Sequence, residues 1–137
     1  MIRKSLFQVG ALALTLSLFA SCSAQKRFQR RLVGTWNVER YEQLYPSGQR
    51  DVSPNVGSVT FRRNGGGEND LPVLTRGVRM PDAGSFSWKN TTEEVTIISG
   101  NTYLSKSWIV MRNKRSHQIW KSTTQSVVQT MELRKAK

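Results

Sequence analysis

The chain has 137 residues, 21 of them Lys or Arg against 9 Asp or Glu, for a formal net charge of +12. That length holds one small domain, and the charge directs attention to anionic partners. The sole cysteine, Cys22, excludes an internal disulfide and a thiolate metal cluster, and the sole histidine, His117, leaves no base–nucleophile constellation.

In chain order, the first element is a leader. Arg3 and Lys4 precede an apolar run, Val9–Ala20, broken only by Thr15 and Ser17, and the small residues Ala20 and Ser21 follow. Charge, apolar core and small-residue cleavage site are the layout of a secretory signal. A bilayer-spanning helix needs roughly 20 apolar residues. This run is shorter, and Ser23-Ala24-Gln25-Lys26 ends it.

Phe19-Ala20-Ser21-Cys22 resembles the bacterial lipobox. The resemblance implies a diacylglyceryl group on the Cys22 thiol, cleavage before Cys22 and acylation of the new amino group. The plainer alternative is an ordinary cleaved signal with an incidental cysteine. On the lipobox reading, residues 1–21 are a signal peptide and residues 22–31 are a lipidated cysteine with a basic tether. Ser23 in place of Asp implies an outer-membrane lipoprotein, with the leaflet open. Lys26, Arg27, Arg30 and Arg31 lie where a polybasic segment meets a membrane surface, with a solvated, soluble linker as the equal alternative. An exported chain this basic points to anionic lipid or lipopolysaccharide rather than to nucleic acid. Gln25–Leu32 can form a short helix.

Residues 32–137 read as an all-β domain. Short segments alternate apolar and polar residues, with Gly, Asn, Asp and Pro between them. Val33–Tyr41 places Trp36 and Val38 on one face. Asn55–Arg62 pairs Val59 with Phe61 and runs into Asn64-Gly65, a tight-turn signal. Leu71–Arg76 is a short strand that Pro72 confines to an edge or a start. The Gly-rich, charged segment Gly65–Ala83 is expected to be a mobile loop or lid. Gly84–Lys89 aligns Phe86 with Trp88, and Glu93–Ser99 aligns Val95 with Ile97. Thr102–Arg112 carries Leu104, Lys106, Trp108 and Val110. His117–Ser122 carries Trp120, and Ser126–Arg134 carries Met131 and Leu133. About eight strands with brief turns predict an antiparallel up-and-down barrel, whose interior is either filled or holds one small ligand.

Gly34-Thr35-Trp36 on the first strand, Gly84-Ser85-Phe86-Ser87-Trp88, Val95-Thr96-Ile97-Ile98 and the later Trp120 together resemble the lipocalin-like lipoproteins of the bacterial envelope. The similarity runs over about Leu32–Leu133. It implies a calyx with Trp36 plugging the closed end and a basic residue of the last strand, Arg134, stacked on that ring. The helix that usually follows such a barrel has no counterpart before Lys137, which favours a reduced relative.

No enzyme is expected. His117 reads as a surface or turn residue. Adjacent strand residues Glu93 and Glu94 point to opposite faces, so they share neither a proton nor a metal. Glu68 and Asp70 are too few oxygen ligands for calcium. No cofactor or metal is expected. The candidate ligand site is Phe86, Trp88, Leu104, Lys106 and Trp108, with core packing as the competing role for the aromatics. The leading expectation is a membrane-anchored lipoprotein whose barrel binds a small hydrophobic or amphipathic ligand. The alternative is a filled barrel whose basic surface docks to anionic envelope components or a protein partner.

Overall fold

The alternation of buried and exposed residues produces ten strands in the computed structural model, which describes residues 22–75, 78–80, 83–100 and 103–137. The leader expected over residues 1–21 lies outside the described residues. Residues 22–32 are a helix, α1. The strands are β1 (Gly34–Leu44), β2 (Arg50–Phe61), β3 (Gly66–Asp70), β4 (Val73–Thr75), β5 (Val78–Met80), β6 (Ala83–Asn90), β7 (Glu94–Ser99), β8 (Ser107–Asn113), β9 (His117–Thr124) and β10 (Val127–Lys135). Eight of them close an antiparallel barrel in the order β1-β10-β9-β8-β7-β6-β3-β2, and β4–β5 form a separate hairpin. Neighbours in the barrel are neighbours in sequence apart from that inserted hairpin. This is the expected up-and-down topology, and closure leaves no free edge.

The strand inventory differs from the sequence expectation in three places. The third barrel strand is β3, which lies inside the Gly-rich segment expected to be a loop. It pairs β2 through Phe61↔Gly67 and β6 through Gly67↔Phe86. Glycine reads as a turn former, but here it is required by contact: a Cβ on Gly67 would collide with the Phe86 ring and with the Thr60 carbonyl. Of the strand expected over Leu71–Arg76, Val73–Thr75 form β4, outside the barrel, and Arg76 lies outside the described residues. The strand expected over Thr102–Arg112 begins at Ser107, because Tyr103–Lys106 turn; Thr102 itself lies outside the described residues.

β2 runs five residues further N-terminal than expected and passes through Pro54. The reason is a bulge in β2, where Asn55 and Val56 together stand opposite the single residue Glu39 of β1, between the pairs Val38↔Gly57 and Arg40↔Pro54. Asn55 takes φ +49° and Gly57 φ +141° there. A bulge of this kind accommodates a proline that an unbroken ladder would reject. The β9–β10 turn places Gln125 and Ser126 at φ +51° and +66°, the geometry of a two-residue primed hairpin turn.

The interior is filled by its own side chains. Trp36, Tyr41, Phe61, Leu104, Trp108, Trp120, Met131 and Leu133 are each at most 1% exposed. Phe61 is the hub: its ring meets Phe86, Trp88 and Trp120 edge-on at centroid distances of 5.4, 5.2 and 5.8 Å. Such pairs add to the gain from burial, which is about 1.5–3 kcal/mol for a large apolar side chain.

The segment read as a basic tether is helical and belongs partly to this core. Phe28 and Leu32, one turn apart on α1, are both buried in it. The helix crosses the end of the barrel where β1 begins and β10 ends. Gln25 Nε2 donates to the Asn90 carbonyl at 2.7 Å, and Asn90 Nδ2 donates back to the Gln25 carbonyl at 3.2 Å. Arg31 Nη1 donates to Oδ1 and to the carbonyl of Asn113 at 2.9 and 3.2 Å. The helix is thus fastened to the β6–β7 and β8–β9 turns and covers this end, the closed end below.

Candidate functional site

All four tryptophans donate their indole N–H inside the protein, and each ties down a different peripheral segment. Trp36 Nε1 reaches the Leu32 carbonyl of α1 at 2.9 Å. Trp88 Nε1 lies between the Arg62 and Gly66 carbonyls of the β2–β3 turn, at 3.1 and 2.9 Å. Trp108 Nε1 holds the Leu104 carbonyl at 3.1 Å. Trp120 Nε1 meets Gln118 Oε1 at 3.1 Å, and Gln118 Nε2 donates to Asn113 Oδ1 and the Lys114 carbonyl. That chain of bonds accounts for a fully buried glutamine.

Of the residues expected to line a ligand pocket, Phe86 borders a surface cleft of about 340 Å³ with Ser85, Ser87, Ile98, Ser99 and Gly100. Phe86 and Trp88 are each 6% exposed, and Leu104 and Trp108 are completely buried. Lys106 is half-buried in the turn before β8, its Nζ 5.5 Å from the centre of the Trp108 ring. Leu104 and Trp108 line neither of the two basic clefts described below.

The closed-end motif is present with one correction. The cation over Trp36 is Lys135, not Arg134. Lys135 Nζ lies 4.7 Å from the centre of the Trp36 ring and donates to the Val33 and Arg31 carbonyls at 2.6 and 3.0 Å. The register explains the exchange, because Trp36 pairs with Lys135 while Arg134 pairs with Asn37. Arg134 faces outward and binds Glu39. Strand parity carried the signal, since Lys135 follows Met131 and Leu133 on the inward face.

Gly34 completes this lock. It has φ +125°, and a Cβ there would sit 2.9 Å from Lys135 Nζ. The glycine of the G-x-W motif leaves room for the ammonium group that binds one carbonyl in the last turn of α1 and one just past its end, where a positive charge is favoured. Burial lowers the pKa of Lys135 below the ordinary lysine value.

Around this lock the fold gathers basic residues distant in sequence. α1 brings Lys26, Arg27, Arg30 and Arg31, the β2–β3 turn Arg63, the β8–β9 turn Lys114 and Arg115, and the C-terminus Lys135. A cleft of about 650 Å³ is lined by Arg27, Arg30, Arg31, Arg115, Ser116 and Lys135. A second, of about 500 Å³, is lined by Lys26, Gln29, Arg30, Val33 and Arg63. The two share Arg30, and no carboxylate lines either. The ion pairs among the described residues join Glu39, Glu42, Glu68 and Glu132 to Arg134, Arg40, Arg50, Arg62 and His117. None involves Lys26, Arg27, Arg30, Arg63, Lys114 or Arg115.

Cys22 is exposed at the start of the described part of α1. His117 opens β9 and meets Glu132 at 2.9 Å on the outer wall. No helix of the described residues is long and apolar enough to cross a membrane.

One polar feature escaped sequence reasoning. Ser122, Gln129, Gln43 and Asp51 are register partners on β9, β10, β1 and β2 and form a belt inside the opposite, open end, each 5–8% exposed. Alternation predicts inward positions, but polar residues there look like surface until the register is known.

No protein-family model matches the chain, and no curated protein does. Among solved structures, a redesigned β-barrel is similar with a TM-score of 0.47 and 16% identity, over 81% of this chain and 96% of that one.

Proposed function

We propose that this chain is a lipocalin-like lipoprotein of the bacterial envelope, anchored through Cys22, that works as a docking module: its filled barrel presents a basic closed end to anionic envelope material. The observation that carries this reading is the pair of carboxylate-free cationic clefts sharing Arg30. Like charges one helical turn apart, as at Lys26/Arg30 and Arg27/Arg31, cost an isolated helix about 0.2–0.5 kcal/mol per pair. An anionic partner relieves that repulsion. The burial of Leu104, Trp108 and the aromatic cluster favours this docking reading over a small hydrophobic guest. The polar belt favours a second reading, a small polar guest held in the open half beside Gln43 and Gln129.

Salt dependence tests the main reading. Retention of the chain on an anionic envelope fraction should be lost as ionic strength rises to about 1 M, where the screening length falls to roughly 3 Å. The variant Arg27→Gln/Arg30→Gln/Arg63→Gln/Arg115→Gln should show the same loss at low salt while unfolding at an unchanged midpoint. Salt-resistant retention, or a small molecule that co-purifies with the barrel in native mass spectrometry, would overturn it.

A further inference from the structure

We infer that the Arg27–Arg30–Arg31–Arg115 cleft binds phosphate groups of membrane lipids, so that the closed end faces the bilayer and the open end points away from it. The inference rests on the docking reading above and names its partner.

The cleft is built for phosphate rather than for charge in general. Four of its six lining residues are arginines with guanidinium groups in reach of one cleft. A guanidinium fork matches two oxygens of one phosphate. Arg31 is fixed by its bonds from Nη1 to Asn113, which leave its Nε and Nη2 donors open. Lys135 donates to two backbone carbonyls and stands under the Trp36 ring, so it shapes the floor. Arg27, Arg30 and Arg115 are exposed arms around that fixed point.

The membrane is favoured as the source by the course of α1. Cys22 begins its described part, and a helix rises 1.5 Å per residue. Arg27 therefore lies about 7.5 Å along the axis from the cysteine, within the roughly 8–10 Å over which surface charge acts at physiological salt, and Arg31 lies one turn further, at about 13.5 Å. The apolar stripe of α1, Phe28 and Leu32, is buried against the barrel. The helix has no apolar face left to insert into acyl chains, so headgroup phosphates, not the hydrocarbon, are what it can contact.

Arginine footprinting tests this on the full chain. The chain is reconstituted into vesicles of phosphatidylcholine alone, or with about one-third phosphatidylglycerol, and treated with phenylglyoxal; adducts are read residue by residue by mass spectrometry. Arg27, Arg30 and Arg115 should react about fivefold more slowly on the anionic vesicles, with Arg50 at the open end unchanged on both. Equal slowing of Arg50, or no slowing anywhere, would overturn the orientation. Parallel samples on phosphatidylcholine vesicles receive inorganic phosphate or soluble polyaspartate. Protection by inorganic phosphate equal to that on anionic vesicles would make this a free-phosphate site and overturn the membrane source. Protection by polyaspartate but not by anionic vesicles would leave the docking reading standing and remove lipid phosphate from it. Protection by none of the three would remove both.

Discussion

Replacing Gly34 by alanine probes the lock that joins α1 to the barrel. The residue has φ +125°, where an L side chain is strained by about 1–3 kcal/mol. The new Cβ would also stand 2.9 Å from Lys135 Nζ and 3.1 Å from its Cε. A lysine end can swing away, so the clash itself is small. Moving it forfeits the bonds to Val33 and Arg31 and the stacking on Trp36, offset in part by rehydration of the ammonium. Stacking of this kind is worth about 0.5–2 kcal/mol. Together the terms give a destabilisation of about 2–4 kcal/mol. With a urea slope of about 1–3 kcal/mol/M for a domain this small, the unfolding midpoint should fall by roughly 2 M. Tryptophan fluorescence reports the transition, since Trp36 is at the lock. The same substitution in a Lys135→Ala background should cost only the backbone strain, so a double-mutant cycle should return a coupling of about 1 kcal/mol. A cost below about 0.5 kcal/mol, or strict additivity with Lys135→Ala, would refute the lock.

Two further outcomes follow from the packing and the charges. Gly67→Ala should destabilise the chain by about 3 kcal/mol or more, measured by thermal unfolding, because the Phe86 ring and the Thr60 carbonyl already occupy the space of a Cβ. A benign substitution would mean that β3 is not held in the barrel as described. The stability of the native chain should change with pH through Lys135. Its pKa is lowered in the folded state from the ordinary 10.5 by burial. Between the lowered value and 10.5 the unfolded chain binds more protons, so this residue's contribution rises with pH across that window and is level below it. The difference in urea midpoint between the native chain and Lys135→Ala, followed from neutral pH to about 10.5, should therefore grow in the native chain's favour. A flat or opposite trend would mean that the carbonyls and the ring outweigh burial.

Much of the barrel is written in local alternation. Trp36 and Val38, Val59 and Phe61, Phe86 and Trp88, and Val95 and Ile97 were each legible as same-face pairs, and all eight are buried. A period of two is a property of the backbone and needs no knowledge of partners. β3 was illegible for the opposite reason. Gly66–Asp70 has no β-branched or aromatic residue, and its place in the barrel comes from ladders with β2 and β6 and from the close approach of Phe86. The extension of β2 through Pro54 was hidden too, since the bulge at Asn55 and Val56 that admits it is defined only by the pairing with β1.

The sequence by itself determined the antiparallel up-and-down barrel, seven of its eight strands, the faces of the aromatic pairs and the cationic excess. These depend on residues near one another along the chain. Only the tertiary structure decided which cation sits on Trp36, because that depends on the β1–β10 register, and a slip of one residue exchanges Lys135 for Arg134. It alone brought Arg27, Arg63 and Arg115 to one end, since alternating strand directions sort turns far apart in sequence onto common ends. It also set how deeply Phe86, Trp88, Leu104 and Trp108 are buried, because what stands opposite an inward aromatic across the barrel is fixed by the tertiary fold.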